Sequence, residues 1–516
     1  MSRCYFALVF VRKKKNRSGT TSVQLVDKSH GYRVLRTLGC SDDLEEIRRL
    51  VQRGKQIIES GDGKQFSLFS IHSDQDRAIE NFLSQMRNSQ IRTIGPELIF
   101  GTLFDRIGFN VISDELFRHI TVARLAYPTS KLKTVDYLYR YRGIKLGVQD
   151  LYRFLDKLQS SYKDKIEKVA YDHTRAHLGT ISVVFYDMTT LYFETEDEDD
   201  LRKIGFSKDG KFQHPQIMLG LLVGTGGYPI GYDIFEGNTF EGHTLLPTLQ
   251  KIEKKYGFKD SIVIADAAML STDNLNNLSS AQYRFIVGAR IKNEDKETQK
   301  EILSRSEGLK DGDYFIIQKE DKLQLIISYS QVRAKKDAHN RKRGLSKLQK
   351  HIKSGKLTKK NINNRGYNKF LKLAGEIKVN IDEEKVVEDA RWDGLKGYIT
   401  NTSLSPKMVI ENYKELWQIE RAFRISKTDL RIRPIYHYRK HRIEAHICIT
   451  FVAYSIYKEL EHLLNQAHLK MSAKRAAELT HNMYELHYSL PGSPQNKRVL
   501  LKMDPEQQIL YNLIHK

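Results

Sequence analysis

The chain has 516 residues, a length typical of three or four structural units. Lys and Arg number 85 against 63 Asp and Glu, so the formal charge is +22 and the pI about 9.5. This excess favours a polyanionic partner, either nucleic acid or an anionic membrane surface. No apolar run approaches the ~18 residues of a spanning helix, and three widely separated cysteines argue against a disulfide framework or a zinc knuckle. We therefore expect a soluble protein of a reducing compartment, the cytoplasm.

Residues 1–60 are predicted to form a small module of strands and one helix. Two alternating apolar stretches, Tyr5–Val11 and Thr21–Val26, are typical of strands. The charged segment SDDLEEIRRLVQRGKQI has the acidic first turn that favours a helix start. The first stretch is interpreted as a strand rather than a signal peptide, because it is short and no small-residue cleavage site follows it.

Residues 61–178 are predicted to be a helical DNA-binding region. Apolar residues recur at three-and-four spacing from about Asp76 to His177. Basic and aromatic residues alternate between Arg118 and Arg153, and such residues bind phosphates and stack on bases. The alternative interpretation is an ordinary helical bundle with a solvated basic face.

Residues 179–292 change to a pattern of buried strands. ISVVFYD, QIMLGLLV and YPIGYDIF predict three strands, the last two joined by a glycine-rich hairpin at 224–227. A helix ending at Gly257, the strand SIVIAD, a second helix and the strand YRFIVGARI follow. Three antiparallel strands followed by helix, strand, helix and strand predict the first part of an α/β RNase H-like catalytic core.

Residues 293–398 are predicted to form a β-rich basic insertion domain. YFIIQKEDKLQLIISYS is typical of a hairpin, and KVVEDARWDGLKGYITN of two further strands. Between them, Arg333–Lys372 holds fifteen Lys or Arg and one acid, Asp337. Such a block is usually a solvated tail, but within a folded insertion we favour contact with DNA phosphates. The candidate contacts are Arg341, Lys342 and Arg343.

The remainder of the chain is predicted to be helical. Residues 399–440 are expected to complete the core with a helix that carries Glu420, and residues 441–516 to form a C-terminal helical region. This last region is a candidate for dimerisation.

Three acidic residues stand where they could carry chemistry. Asp187 ends the first buried strand, Asp266 ends the fourth, and Glu420 lies in the helix after the insertion. Since the first and fourth strands are neighbours in such a sheet, their carboxylates can converge. Carboxylate oxygens suit Mg²⁺, and two Mg²⁺ ions can activate an attacking oxygen and stabilise a leaving one. A lone Asp after a strand is more often a cap or turn residue, but its recurrence on both strands favours the metal site.

Helical periodicity places cations beside Glu420. Tyr413, Arg424, Lys427 and Arg431 fall on the same stripe as Glu420, next to an apolar stripe. A metal-binding Glu flanked by cations that hold phosphates would have this pattern. The alternative is a simple i,i+4 ion pair between Glu420 and Arg424.

The helix resembles that of DDE transposases of the bacterial insertion-sequence superfamily, the IS-four type, with the signature Y-(2)-R-(3)-E-(6)-K. Tyr413, Glu420 and Lys427 match its spacing. Leu416 occupies the position of the signature Arg, so the phosphate contact of that Arg is missing. Arg421 or Arg424 are the candidates to make this contact instead.

The two strand ends carry the same resemblance. YDMTT with Asp187 and IADAAML with Asp266 are similar to the family's first and second acidic motifs. The resemblance implies that Asp187, Asp266 and Glu420 are catalytic and bind two Mg²⁺ ions, for which Mn²⁺ can substitute. It also implies a bacterial, nucleoid-associated enzyme without a membrane partner.

The resemblance further implies a homodimer on the terminal inverted repeats of a mobile element. Such enzymes hydrolyse a phosphodiester at each end and join the freed 3′-hydroxyls to target DNA. Some family members hold a flipped base on an aromatic side chain of the insertion, and Trp392 is the candidate here. A Trp beside a strand is more often a core residue, which is the alternative.

Three other functions remain possible on the sequence. The first is a nuclease with the same fold and metal chemistry but no strand transfer. The second is a domesticated, non-catalytic DNA-binding protein, against which the three acids argue. A polybasic membrane-surface protein is the most distant, since no amphipathic anchor accompanies the basic residues.

Overall fold

The computed structural model describes residues 9–28, 31–59, 74–257, 260–269, 271–354, 363, 366–374, 378–489 and 495–516. The chain divides into two compact units, residues 1–86 and residues 87–516. The predicted division into six segments stays a prediction.

The first unit is a three-stranded antiparallel sheet with helices. Its elements are β1 (Val9–Lys15), β2 (Thr21–Asp27), β3 (Arg33–Ser41), α1 (Leu44–Glu59) and α2 (Asp74–Ser84), and β2 is the central strand. The predicted second strand and helix are confirmed, and the first strand is confirmed from Val9 onward, since residues 1–8 lie outside the described part. β3 was not predicted, because its polar and charged residues leave it mostly exposed.

The second unit begins with helices. Its first elements are β4 (Ile91–Thr93), α3 (Thr102–Ile107), α4 (Glu115–Ala126), α5 (Lys131–Arg142), α6 (Val148–Lys157) and α7 (Lys163–Leu178). The caps follow from sequence: Asp114 accepts a hydrogen bond from the Leu116 amide at the start of α4, and Gly143 ends α5 in a left-handed conformation. The predicted helical character is confirmed over these helices.

A mixed sheet follows, in the predicted order of elements. These are β5 (Val183–Tyr192), β6 (Gln216–Gly224), β7 (Pro229–Glu236), α8 (Leu245–Tyr256), β8 (Ile262–Ala265), α9 (Thr272–Ser280) and β9 (Arg284–Ala289). The first three strands are antiparallel, β8 runs parallel beside β5, and β9 runs parallel beside β8. The predicted α/β fold is confirmed, and so is the pairing of the first and fourth strands.

The basic insertion contributes strands to the same sheet. Its elements are α10 (Lys296–Arg305), β10 (Tyr314–Gln318), β11 (Gln324–Tyr329), α11 (Gln331–Lys353), β12 (Leu371–Ala374), β13 (Lys378–Ile381), α12 (Glu383–Ala390) and β14 (Leu395–Thr400). β14 pairs with β9, β11 with β14 and β10 with β11, which gives an eight-stranded sheet.

Within the insertion, the predicted hairpin is confirmed as β10 and β11, which are antiparallel. Two strands were predicted in KVVEDARWDGLKGYITN, and the first of them was wrong. Residues 385–390 belong to helix α12, whose first turn carries Glu383 and Glu384, where negative charge favours the helix dipole. The basic block begins as helix α11, and its residues 355–362 lie outside the described part.

The last elements are α13 (Pro406–Lys414), α14 (Trp417–Thr428), α15 (Lys440–Gln466), α16 (Ala473–Thr480), β15 (Tyr484–Ser489), β16 (Asn496–Leu500) and α17 (Pro505–His515). The prediction of an all-helical C-terminus was wrong at β15 and β16. β15 pairs with both β16 and the distant β4, a long-range pairing that local sequence patterns do not reveal. α15 packs against α4, α6 and α7, so the N- and C-terminal helices of this unit share one core.

The sheet separates two hydrophobic cores. Alternate residues of β5 point to opposite faces: Phe185 and Leu191 join the core that α14 and α15 cover, whereas Val184 and Tyr186 join the core of α8 and α9. None of the helices within the described ranges is long and apolar enough to cross a membrane.

Candidate active site

The two strand acids lie at matching positions on neighbouring strands. β5 and β8 pair in parallel with Tyr186 opposite Ala265, and Asp187 and Asp266 are the residues that follow this pair. The prediction that Asp187 ends its strand was wrong, because β5 continues to Tyr192 in its pairing with β6, whereas Asp266 directly follows β8. Asp187 alternates with Phe185 and therefore points to the face covered by α14. Asp266 follows Ile264, which packs in the same core. The sheet thus presents both carboxylates on one face, as predicted.

The third acid comes from the helix that covers this face. Ile419 and Phe423 anchor α14 in the core shared with Phe185, and Glu420 is exposed on the same helix. Glu420 and Asp266 both influence the ionisation of Tyr413 and of Lys396, which places all four side chains in one neighbourhood.

Tyr413 links the helices to the sheet. Its hydroxyl donates a hydrogen bond to Asp266 Oδ1 at 3.2 Å, and its ring is buried. A Cβ atom on Gly288 would lie 3.0 Å from Tyr413 Cζ and closer still to the hydroxyl. The glycine of β9 therefore provides the space for the ring. Tyr413 was predicted to contact phosphate, and in the structure it holds a carboxylate.

Asp187 is a largely buried carboxylate beside a lysine. Its Oδ1 accepts a hydrogen bond from the Met188 amide at 2.7 Å, and Lys208 Nζ lies 3.6 Å away. Burial raises the pKa of Asp187 to about 6, while Lys208 opposes this rise, and Glu241 and Asp266 add to it as neighbouring negative charges. A carboxylate in such surroundings gains stability when a cation shares the site.

Lys208 and Lys396 are site residues that the sequence did not reveal. Lys208 Nζ also lies 2.9 Å from Glu241 and donates to the Met188 carbonyl at 2.7 Å. Lys396 Nζ lies 4.3 Å from the centre of the Tyr413 ring, and burial lowers the pKa of this lysine. No local pattern marks Lys208, which lies in a loop. Lys396 is two residues before Tyr398 on β14, and the strand alternation could have placed both side chains on the same face of the sheet.

The donor chemistry suits a hard divalent cation. Three carboxylates supply oxygen ligands, and Tyr413 fixes the orientation of one of them. In the described part of the chain, however, no group of three or more His, Cys, Asp or Glu side chains is close enough to hold a metal ion. The structure therefore brings the acids to one face without gathering them into one ligand cluster.

The predicted phosphate-binding cations of α14 have different surroundings. Lys427 Nζ lies 3.3 Å from Asp209, and Arg433 also pairs with this aspartate. Arg421 pairs with Glu461 of α15. Arg424 is exposed and forms no ion pair with any described residue. Arg424 is therefore the cation on α14 that is most available to a ligand.

Arg431 lies just beyond α14. It has a positive φ of 45° and is exposed. Its backbone carbonyl, with that of Leu430, accepts long hydrogen bonds from the buried Arg124 at 3.4 Å. Arg431 therefore lies apart from the ion pairs of Lys427, next to a second basic region.

A cleft of about 820 Å³ extends from Asp266 to the insertion. Asp266 and Tyr413 lie on its lining, and so do Lys396 and Trp392. Trp392 is 8% exposed and belongs to the core under α8 and α9, with Lys292 Nζ 6.0 Å from its ring centre. The indole is thus a core residue with one edge on the cleft.

Of the three predicted cations of α11, two are exposed and one is paired. Lys342 and Arg343 are exposed. Arg341 forms two hydrogen bonds, of 2.6 and 2.5 Å, to the carboxylate of Asp393, the residue after Trp392. Arg341 therefore holds the Trp392 segment against α11.

A family model described as a transposase DDE domain matches residues 178–456. No curated protein matches the chain. Two solved structures are similar at 10% identity. One is the cryo-EM structure of the piggyBac transposase synaptic complex with hairpin DNA (TM-score 0.38), a match covering 71% of this chain and 69% of that chain. The other is the Mos1 transposase paired-end complex with left transposon end (TM-score 0.16), covering 50% and 69%.

The family model includes the three acids, the cleft and the helices that cover the sheet. The resemblance to DDE transposases is thereby confirmed, whereas the IS-four type and the Y-R-E-K signature stay predictions. Because the matched residues make up more than half of the chain, the protein belongs to the transposase DDE domain family.

Proposed function

We propose that this protein is an insertion-sequence DNA transposase that cuts and joins DNA at Asp187, Asp266 and Glu420. The observation that carries the proposal is the pairing of β5 with β8, which sets Asp187 and Asp266 side by side facing the helix of Glu420. The strand order β7-β6-β5-β8-β9 supports an RNase H-like core.

The three carboxylates are the residues that would hold two Mg²⁺ ions, or Mn²⁺ in their place. Bound there, the ions would supply activation of the attacking oxygen and stabilisation of the leaving oxygen. Tyr413 orients Asp266 by its hydrogen bond. Glu420 is exposed and accessible to a DNA strand.

The lysines beside the acids are suited to hold the scissile phosphate. Lys208 lies beside Asp187, and the negative charges of Asp266 and Glu420 both favour the protonated form of Lys396. An ammonium group in such a position attracts phosphate oxygens and opposes the repulsion between DNA and the carboxylates. Arg424 extends this cationic surface along α14.

Helix α11 is suited to guide DNA toward the cleft. Its exposed cations include Arg333, Lys335, Lys336, Lys342, Arg343, Lys347, Lys350 and Lys353. These charges would bind backbone phosphates without sequence preference. The edge of Trp392 on the cleft makes its indole the candidate for stacking on a flipped base.

The remaining parts of the proposal concern partners. The proposed DNA partners are the terminal inverted repeats and the target DNA. The proposed active species is a homodimer bound to two element ends. The proposed location is the bacterial nucleoid. The net charge of +22 supports a nucleic-acid partner.

The test uses the full chain with DNA that flanks its gene on both sides, supercoiled plasmid and Mg²⁺. Wild type is compared with Glu420→Gln and with the control Glu411→Gln, an exposed acid on the preceding helix. We expect wild type and the control to cut at an inverted-repeat boundary and to join the ends to plasmid, and Glu420→Gln to bind DNA without cutting it.

The other outcomes identify the alternatives. Cutting without joined products would indicate a nuclease, and tight binding without metal-dependent cutting by wild type would indicate a domesticated DNA binder. Retained cutting by Glu420→Gln would overturn the assignment of the third acid.

A further inference from the structure

A second basic pocket lies away from the three acids. It has a volume of about 540 Å³ and is formed by the end of α4, the start of α5, the segment after α14 and helix α15. Among the described residues that line it are Arg124, Lys131, Lys133, Arg431 and Arg433, and none of the lining residues is acidic. Such a pocket is electrostatically complementary to an anion.

Two of these cations are buried. Arg124 is 5% and Lys131 is 6% exposed. Among the described residues, Lys131 Nζ has no hydrogen-bond partner, and the side chain of Arg124 makes only the two long bonds to backbone carbonyls. Burying an ammonium group without a counter-charge is costly. Burial, together with Arg124, lowers the pKa of Lys131 well below its usual range.

The start of α5 adds further donors. Ser130 caps this twelve-residue helix, and the side-chain hydroxyl of Thr129 is buried without a hydrogen-bond partner in the described structure. The amide groups of a helix N-terminus carry partial positive charge and bind phosphate oxygens. His437 and His446 also line the pocket, and burial keeps the pKa of both low, so they remain neutral.

We propose that this pocket binds a backbone phosphate of the DNA strand. The proposal deepens the proposed transposase function and rests on it for the identity of the nucleic acid. The phosphate oxygens would be bound by Lys131 Nζ, the Thr129 hydroxyl and the N-terminus of α5. None of the described residues supplies a counter-charge to Lys131 Nζ, and a bound phosphate would supply it and favour the protonated form of the lysine.

The mouth of the pocket favours DNA over a free phosphate ion. Tyr436 is 68% exposed, and Lys133 and Arg431 are exposed beside it. These groups reach past a single phosphate to a neighbouring sugar, base or phosphate. Arg433 lines the pocket and pairs with Asp209, to which Lys427 of α14 also binds. Asp209 thus links one side of the pocket to α14, the helix that carries Glu420.

The test is Lys131→Met, which keeps the length of the side chain and removes its charge. We expect Lys131→Met to melt at the same temperature as wild type or higher, because a buried unpaired charge is lost. At the same time we expect binding to a fluorescent duplex of the gene-flanking DNA to weaken by about tenfold. The slope of log K against log salt should fall by about one.

The matched control is Lys145→Met, which removes one exposed positive charge outside the pocket. Lys145→Met should change both the salt slope and the affinity for DNA less than Lys131→Met does. A second variant, Thr129→Val, removes the buried hydroxyl without changing the shape, and it should weaken DNA binding in the same direction. Equal affinity and slope for wild type and Lys131→Met would overturn the proposal.

Titration with inorganic phosphate distinguishes the two sources of the anion. If phosphate alone binds wild type and Lys131→Met leaves DNA binding unchanged, the pocket is a free-anion site and the proposal fails. If phosphate competes with the duplex for wild type but not for Lys131→Met, the proposal is supported. These are binding measurements without Mg²⁺, so they stand even if wild type fails to cut DNA.

Discussion

The hydroxyl of Tyr413 donates a hydrogen bond to Asp266 Oδ1 at 3.2 Å. This bond joins helix α13 to the end of β8, so the helix pair that carries Glu420 is fixed to the strand that carries Asp266. Burial raises the pKa of Tyr413 far above its usual value, so the phenol keeps its proton and remains the donor. The ring of Tyr398 packs edge-on against it with centroids 5.0 Å apart.

Tyr413→Phe should therefore impair DNA cutting while leaving the fold intact. The phenyl ring keeps its place beside Gly288, but Asp266 loses its orienting donor. We expect about a tenfold slower cutting rate and a change in unfolding free energy of about 1 kcal/mol or less. The measurement is single-turnover cutting of the gene-flanking DNA, with a thermal melt of each variant.

Tyr398→Phe is the control for this change. Its hydroxyl accepts a long hydrogen bond from Ser328 Oγ at 3.4 Å, and among the described residues it has no hydrogen bond to any of the three acids. It should cut at the wild-type rate. Equal rates for Tyr413→Phe and Tyr398→Phe would show that the bond to Asp266 has no part in the reaction.

Gly288→Ala should displace the Tyr413 side chain from its place beside β9. The added methyl group would overlap the Tyr413 hydroxyl, and overpacking of this kind costs about 1–3 kcal/mol. We expect a lower melting temperature and slower cutting. The double variant Gly288→Ala with Tyr413→Phe should recover part of the stability, since the overlapping oxygen is gone. No recovery would mean that the methyl group clashes with something else.

The positions of the strand acids could be predicted from sequence because the information is local. Continuous β-branched runs fix β5 and β8; Asp266 directly follows β8 as predicted, whereas Asp187 lies inside β5, which continues to Tyr192. The parallel pairing then brings the two together. The Glu420 helix was predictable for the same reason, since its apolar stripe has helical spacing.

The lysines of the site and the pairing of the C-terminal strand were not predictable, because they depend on distant contacts. Lys208 reaches Asp187 from a loop, and β15 finds its partner β4 almost four hundred residues earlier. Arg421 was predicted to bind phosphate from its position on α14, but in the folded protein it pairs with Glu461 of α15. Local periodicity predicts which face of a helix a residue lies on, but it does not predict which distant residues pack against that face.

Mg²⁺ should stabilise the protein through the acids. After treatment with chelator, wild type should melt at a higher temperature when Mg²⁺ is added, by an amount equivalent to about 2.7 kcal/mol at a hundred times the dissociation constant. Asp187→Asn should lose this increase because one ligand is gone. Asp233→Asn is the control, since this aspartate of β7 pairs with Lys251 of α8. A full Mg²⁺ response in Asp187→Asn would remove Asp187 from the metal site.

The neighbours Arg341 and Arg343 should separate stability from DNA binding. Arg341 is 12% exposed in its side chain and makes two hydrogen bonds to Asp393, so Arg341→Gln should cost roughly 1–3 kcal/mol of unfolding free energy. Arg343 is exposed on the same helix. Arg343→Gln should leave the melt unchanged and lower the salt slope of DNA binding by about one.

The fluorescence of Trp392 provides a second measurement of the Arg341 contact. In a Trp417→Phe background, the remaining indole is Trp392, one of the two tryptophans of the chain. Because Arg341 holds the adjacent Asp393, we expect a red-shifted emission in Arg341→Gln as the indole becomes more exposed, and none in Arg343→Gln. An equal shift in Arg343→Gln would mean that both side chains stabilise the packing around Trp392. It would contradict the proposal that this face of α11 guides DNA.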